Sequence, residues 1–227
     1  YNVSYVPGEI AFPALKSGTE FLKTQAGYLG VRDFTYMNHV IELLQLDPSA
    51  NLKKMSKGMK QKTAIVAALM GEKDILVLDE PTTGLDPLMR EAFLDLIREE
   101  KQKGHTVFMS SHIFEEIEAV CDRVAMIKDG HIIDTISLYD LRHPSIKNFI
   151  VEFAQERDKK RFLDDPRFQS ESRNALGCTM QCDISQLDDL FHTLKCMEVT
   201  NFREIRRSLQ EQFMSTYKEG LARNGNK

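Results

Sequence analysis

The feature that most constrains this chain is a short apolar run closed by two acids, Ile75-Leu76-Val77-Leu78 followed by Asp79-Glu80-Pro81. Four consecutive apolar residues bounded by polar ones and a proline predict a strand buried on both faces, the type found in parallel sheets. A second such run occupies residues 107–109. In an open parallel sheet, ligands sit beyond the carboxyl ends of the strands, so Asp79 and Glu80 stand at that edge. Adjacent acids pointing in alternating directions can divide labour, one ordering a divalent cation and the other polarising a water. The same residues also fit a strand that simply ends in a polar turn.

The rest of the chain arranges itself around this pair of strands. Between them a helix is predicted, with Asp86 as N-cap, Pro87 at its first position and Gly104 as its stop. Upstream, a β-like piece at residues 3–6 is broken by Pro7-Gly8. Helix-spaced apolar pairs follow: Phe21-Leu22, Val40-Ile41 and Leu43-Leu44. Downstream, runs at 124–127 and 131–133 flank Asp129-Gly130, a hairpin signal. Residues 144–227 read as a small α+β region: strand 148–153, helix 156–163, strand 177–183, helix 185–195, strand 199–205 and helix 208–217. A polar tail at 223–227 is expected to fray.

A third segment carries chemistry. Met55-Ser56-Lys57-Gly58-Met59 opens a helix predicted over residues 63–70, with Ser56 as a natural N-cap. The amides of Lys57, Gly58 and Met59 then stand at the positive end of the helix dipole, which attracts anions. Ordinary capping explains the same residues. A fourth segment, Ser110-Ser111-His112, closes the strand at 106–109 and so places His112 at the sheet edge shared by Asp79 and Glu80.

Composition excludes several classes. A net charge of −4 argues against nucleic-acid binding through bulk positive charge. The longest apolar run, residues 63–70, is far below the roughly 18 residues of a membrane-spanning helix. Cys121, Cys178, Cys182 and Cys196 lack zinc-site spacing with the histidines and read as reduced, packed thiols, which suits a cytosolic protein.

Taken in order, MSKGMKQK, LDEPTTGLDP and SSH resemble the signature loop, the Walker B strand with its D-loop, and the switch histidine of the ATP-binding cassette (ABC) ATPases. The string Cys121–Gly130 continues that pattern, and Ser208-Leu209-Gln210-Glu211-Gln212-Phe213 through Tyr217 looks like the SLEExF…Y ending of exporter-type members. The resemblance implies an α/β P-loop NTPase cassette over residues 1–142, incomplete, with a mostly parallel sheet and a helical subdomain at about 14–71. Its Walker B to H-loop core would lie at about 73–137, and the α+β appendage at 143–227.

The resemblance also assigns roles: Asp79 to Mg²⁺, Glu80 to the attacking water, His112 to the γ-phosphate, and Asp86 to the dimer interface. Ser56, Lys57, Gly58 and Met59 would bind ATP held by an opposing subunit. It implies an ATPase that powers export through a separate transmembrane permease, with a second ABC subunit as partner, no nucleic acid, and a place on the cytoplasmic face of the membrane. A non-transport ABC ATPase acting on ribosomes or DNA is the alternative.

Three departures stand out. The usual LSGGQ signature carries Lys57 and Met59 in place of glycine and glutamine. Gly8 lies where the family's Q-loop has glutamine, with Glu9 beside it. No GxxxxGK[ST] phosphate loop is present, and the chain starts at Tyr1. It therefore reads as truncated at its N-terminus, with the 75–78 strand left an unpaired edge, poor stability alone, and weak ATP binding.

Overall fold

The computed structural model describes residues 2–206 and 208–224, with side chains to Tyr217. Arg207 and the last part of the tail expected to fray, residues 225–227, lie outside the described residues. The chain divides into two compact units, residues 1–120 and 121–227. That division falls ahead of the 142 boundary read from the sequence.

The first unit contains β1 (Val3–Val6), α1 (Gly18–Leu29), α2 (Thr35–Leu43), α3 (Lys57–Leu69), β2 (Ile75–Asp79), α4 (Pro87–Gln102), β3 (Thr106–Ser110) and α5 (Phe114–Val120). Its three strands form a parallel sheet in the order β1-β2-β3. The sequence predicts an open edge on residues 75–78. The structure instead makes β2 the central strand, hydrogen-bonded to β1 on one side and β3 on the other. The short piece before Pro7-Gly8 supplies the missing neighbour, so instability cannot be argued from an unpaired β2.

Burial on both faces is a second expectation that the structure corrects. Leu76, Leu78 and Val6 are fully buried, whereas Phe108, Tyr5 and Val3 on the alternate positions are 69%, 59% and 49% exposed. Side chains alternate along a strand. The buried face packs on α3 and α4, which contribute Ile65, Leu69, Phe93, Leu96 and Ile97 to the core.

Caps fix the helices that frame the sheet edge. Ser56 Oγ accepts from the Met59 amide at 3.2 Å to start α3. Asp86 Oδ1 accepts from the Met89 amide at 3.0 Å to start α4, with Pro87 at its head. Gly104 adopts the left-handed conformation just past the end of α4 (φ +86°), as a stop signal requires.

The second unit opens with a hairpin, β4 (Arg123–Lys128) and β5 (His131–Ser137), whose turn holds Asp129 and Gly130 at positive φ. After α6 (Leu138–Arg142) come β6 (Ile146–Phe153), α7 (Glu156–Leu163), β7 (Gln169–Ser172), β8 (Gly177–Asp183), α8 (Leu187–Leu194), β9 (Val199–Ile205) and α9 (Leu209–Asn224). The order β7-β8-β6-β9, all antiparallel, with two intervening helices, is the ferredoxin-like βαββαβ arrangement. One sheet face meets the helices through Phe149, Val151, Cys178 and Met180, which pack with Phe162 and Leu190.

Candidate active site

Asp79 ends β2 and sits opposite Ser110, the last residue of β3. The register brings the Ser110 hydroxyl to Asp79 Oδ1 at 2.6 Å. The same Oγ accepts the Glu80 amide at 3.0 Å, and the Ser110 carbonyl accepts it at 3.2 Å. Ser110 therefore ties both acids to the end of β3. Glu80 leaves the strand with φ +46°, a left-handed conformation that costs a non-glycine residue about 1 kcal/mol or more. Its carboxylate meets His112 Nδ1 at 2.8 Å. With the His112 side chain 75% exposed, that contact orients the ring more than it stabilises the fold, contributing at most about 1 kcal/mol.

Gly8, in the loop after β1, lies against Asp79. A Cβ built there would come within 2.9 Å of Asp79 Oδ2. The absent side chain leaves room beside Oδ2 while Oδ1 is held by serine, and Asp79 as a whole is exposed. Glu9 beside it is exposed.

A second group forms at the head of α3. Ser56 and Lys57 are exposed, and the Met59 amide is occupied by Ser56 Oγ. Gly58 packs so closely on the turn after β2 that a Cβ there would lie 2.6 Å from the Gly84 carbonyl oxygen. Buried Gln61 secures the same approach by donating Nε2 to the Pro81 carbonyl at 2.8 Å. Among the described residues no hydrogen bond joins Ser56–Met59 to Asp79, Glu80 or His112. The chain thus presents two groups, not one cluster. Asp86 stands apart from both as the cap of α4.

Several organising residues were not singled out from the sequence. Ser110 lies in the Ser110-Ser111-His112 segment, whose sequence pattern points to His112 alone. Glu116, 1% exposed, accepts from Thr82 Oγ1 at 2.9 Å and Ser111 Oγ at 3.2 Å. Arg90 Nε lies 3.0 Å from its other oxygen, an ion pair without hydrogen-bond alignment. Glu100, fully buried, accepts from Tyr36, from Lys103 Nζ at 2.9 Å, and pairs with His105 Nδ1 at 2.7 Å. Burial alone would raise the Glu100 carboxyl, but the hydrogen bonds from Tyr36, His105 and Lys103 outweigh it and hold it below the usual value. Burial, followed by the Glu100 contact, pushes the Tyr36 phenol up. Acids on amphipathic helices give no sequence signal of such burial.

Residues 40–118 match the family model described as "AAA domain, putative AbiEii toxin, Type IV TA system". The chain is 44% identical over 98 residues to the ABC transporter ATP-binding protein NatA of Bacillus subtilis, covering 42% of this chain and 40% of the relative. It is 33% identical over 147 residues to a fluoroquinolones export ATP-binding protein of Mycobacterium tuberculosis, covering 61% and 49% respectively. The chain thus spans less than half the length of either relative. A solved structure titled as the ATP-binding subunit of an ABC transporter superposes with a TM-score of 0.55 at 31% identity, covering 63% of this chain and 61% of that one.

Over the matched part of the chain, the parallel sheet with helices packed against it is therefore the fold of an α/β P-loop cassette. More particularly, the homologues of this chain are ABC transporter ATP-binding proteins.

Proposed function

We propose that the chain supplies the hydrolytic residues of a nucleotide site in an ABC export ATPase. The carrying observation is the Ser110 bridge, which sets Asp79 and Glu80 side by side at the sheet edge while Glu80 holds His112. Asp79 Oδ2 would hold Mg²⁺, which would supply positive charge to offset that of the phosphate. Glu80 accepts a hydrogen bond from water and takes its proton as the water oxygen attacks the γ-phosphorus and the bond to the β-phosphate oxygen breaks.

His112 Nδ1 donates to Glu80, so its Nε2 donates to a phosphate oxygen only when the ring carries both protons. Ser56 and the amides of Lys57 and Gly58 form the anion-binding head of α3, which in this reading takes the γ-phosphate of ATP bound to a second subunit. Met59 completes the cap. Asp86, at the head of α4, faces the subunit interface.

In this reading the cassette runs to about residue 142 and takes in the β4–β5 hairpin. Export as the direction is supported by the relative named for fluoroquinolone export. A separate membrane permease and a place on the cytoplasmic membrane face follow from the same reading. Among the described residues no helix is long and apolar enough to cross a membrane. A net charge of −4 argues against the ribosome- or DNA-acting alternative binding through bulk positive charge.

General-base assistance is worth about 10²–10⁴-fold in rate. Glu80→Gln in the complete ATPase subunit is expected to keep ATP binding and lose turnover by about that factor. Undiminished hydrolysis overturns the assignment.

A further inference from the structure

The four-stranded sheet of the second unit packs α7 and α8 on one face, and α6 and α9 come near the other only at its Asn148–Ile205 end. Its other face is made of residues paired across the strands. One row reads Glu171, Thr179, Ile150, Arg203 from β7 to β9, and the row beside it reads Gln169, Gln181, Asn148, Ile205. Glu171 and Arg203 occupy the two outermost strands, are exposed, and form no ion pair or side-chain hydrogen bond among the described residues. Neighbouring charges differ: Glu152 pairs with Arg173, and Glu204 with Lys147 and Arg206.

The unpaired charges are placed symmetrically. β8 and β6 lie between them, so a line along the strands between Thr179 and Ile150 is equidistant from both. A two-fold axis parallel to that line, running between two stacked copies, sets Glu171 of each copy opposite Arg203 of the other. The axis passes between Thr179, which is half-buried, and Ile150, which the chain's own side chains already bury. Stacked sheets lie about 10 Å apart, a gap that a glutamate and an arginine can span. We propose that this face is a self-association surface whose occupant is a second copy of the same chain.

Single-stranded nucleic acid is the occupant that a sheet of this topology otherwise invites, and it stacks bases on aromatic rings of the two central strands. Here those strands present Asn148, Ile150 and Glu152, and Gln181, Thr179 and Gly177. No ring lies among them. Glu171 and Arg203 instead match each other under the two-fold.

The pairing is independent of nucleotide, so it stands or falls separately from the ATPase reading. The test is sedimentation of the full chain without nucleotide, comparing the parent with Glu171→Arg, Arg203→Glu and the double variant. Each single change places like charges opposite each other twice, and is expected to weaken self-association at least about tenfold. The double variant, which restores both pairs with their signs exchanged, is expected to recover it.

Helix content and thermal melt of each variant guard against misfolding, since both positions are exposed. The proposal is overturned by a parent that stays monomeric, by single variants that associate like the parent, or by a well-folded double variant that does not recover. Binding of a single-stranded oligonucleotide to a monomeric parent, abolished by the same changes, overturns it in favour of another partner.

Discussion

Replacing Gly58 by alanine sets two physical effects in opposition, and the structure decides between them. Gly58 lies in the first turn of α3, where alanine is the better helix former by up to about 1 kcal/mol. On propensity alone the variant is stabilised. The added Cβ, however, falls 2.6 Å from the backbone carbonyl of Gly84, which cannot rotate aside as a side-chain tip can. Ordinary contact begins near 3.4 Å, so the helix head and the turn must part by about 0.8 Å.

The 2.8 Å bond from Gln61 to the Pro81 carbonyl spans the same gap, and a shift of that size carries it beyond hydrogen-bond range. Overpacking of this kind costs about 1–3 kcal/mol, and an unsatisfied buried carbonyl costs a similar amount. After the helix gain is subtracted, the expected loss is about 3 kcal/mol, or about 12 °C in the melting of the first unit. Urea and thermal unfolding without nucleotide, followed by far-ultraviolet circular dichroism, measure it. A variant more stable than the parent refutes the close-approach reasoning outright.

Other perturbations follow from the same geometry. Ser110→Ala removes the donor to Asp79 and one acceptor of the Glu80 amide; ATP turnover in the complete subunit is expected to fall about tenfold or more, with little change in melting, because the site is exposed. Glu100 has a carboxyl held below its ordinary value of 4.5, so its stabilising effect is present above that pH and lost as pH falls through the lower folded value. Urea midpoints measured from pH 7 downward should show an acid-side loss that shrinks in Tyr36→Phe; identical slopes in both proteins contradict the assignment. Burial pushes the Cys178 thiol up to about 11, against a smaller opposing effect of Lys159, and burial raises Cys182 as well. A thiol reagent at pH 8 should therefore modify exposed Cys196 quickly and reach Cys178 and Cys182 only on unfolding, and rapid reaction of all the thiols in the native state rules out this packing.

Much of the fold was legible where local chemistry and tertiary structure agree. The 75–78 run became β2 because its apolar residues suit a central parallel strand, and Asp86-Pro87 start α4 because cap and proline satisfy the helix head without tertiary help. The alternating strands and helices after residue 144 were readable for the same reason. β7 was missed: Gln169-Ser170-Glu171-Ser172 has no apolar alternation, and it becomes a strand only by pairing with β8. Which strands are neighbours was also hidden, since register belongs to the sheet rather than to any one segment. Thus β1 was read as a fragment, although it completes the pairing of β2.

At the site, the residue types announced themselves through their order, but the contacts that arrange them did not. Ser110 bridging two acids depends on the β2–β3 register. The Gly58–Gly84 approach joins residues far apart in the chain. Glu100 and Glu116 are acids on helices, a pattern that normally signals solvent, and only their partners explain their burial.

The Gly58–Gly84 contact has a bearing on coupling between sites. In the proposed head-to-tail pair, the head of α3 would serve one nucleotide while Asp79 and Glu80 would serve the other. Yet within a single chain the α3 head is pressed against the turn that directly follows those acids, and Gln61 is bonded into it. Under the proposed function, a shift of the α3 head at one nucleotide would therefore be passed through this contact to the turn that follows the acids of the other.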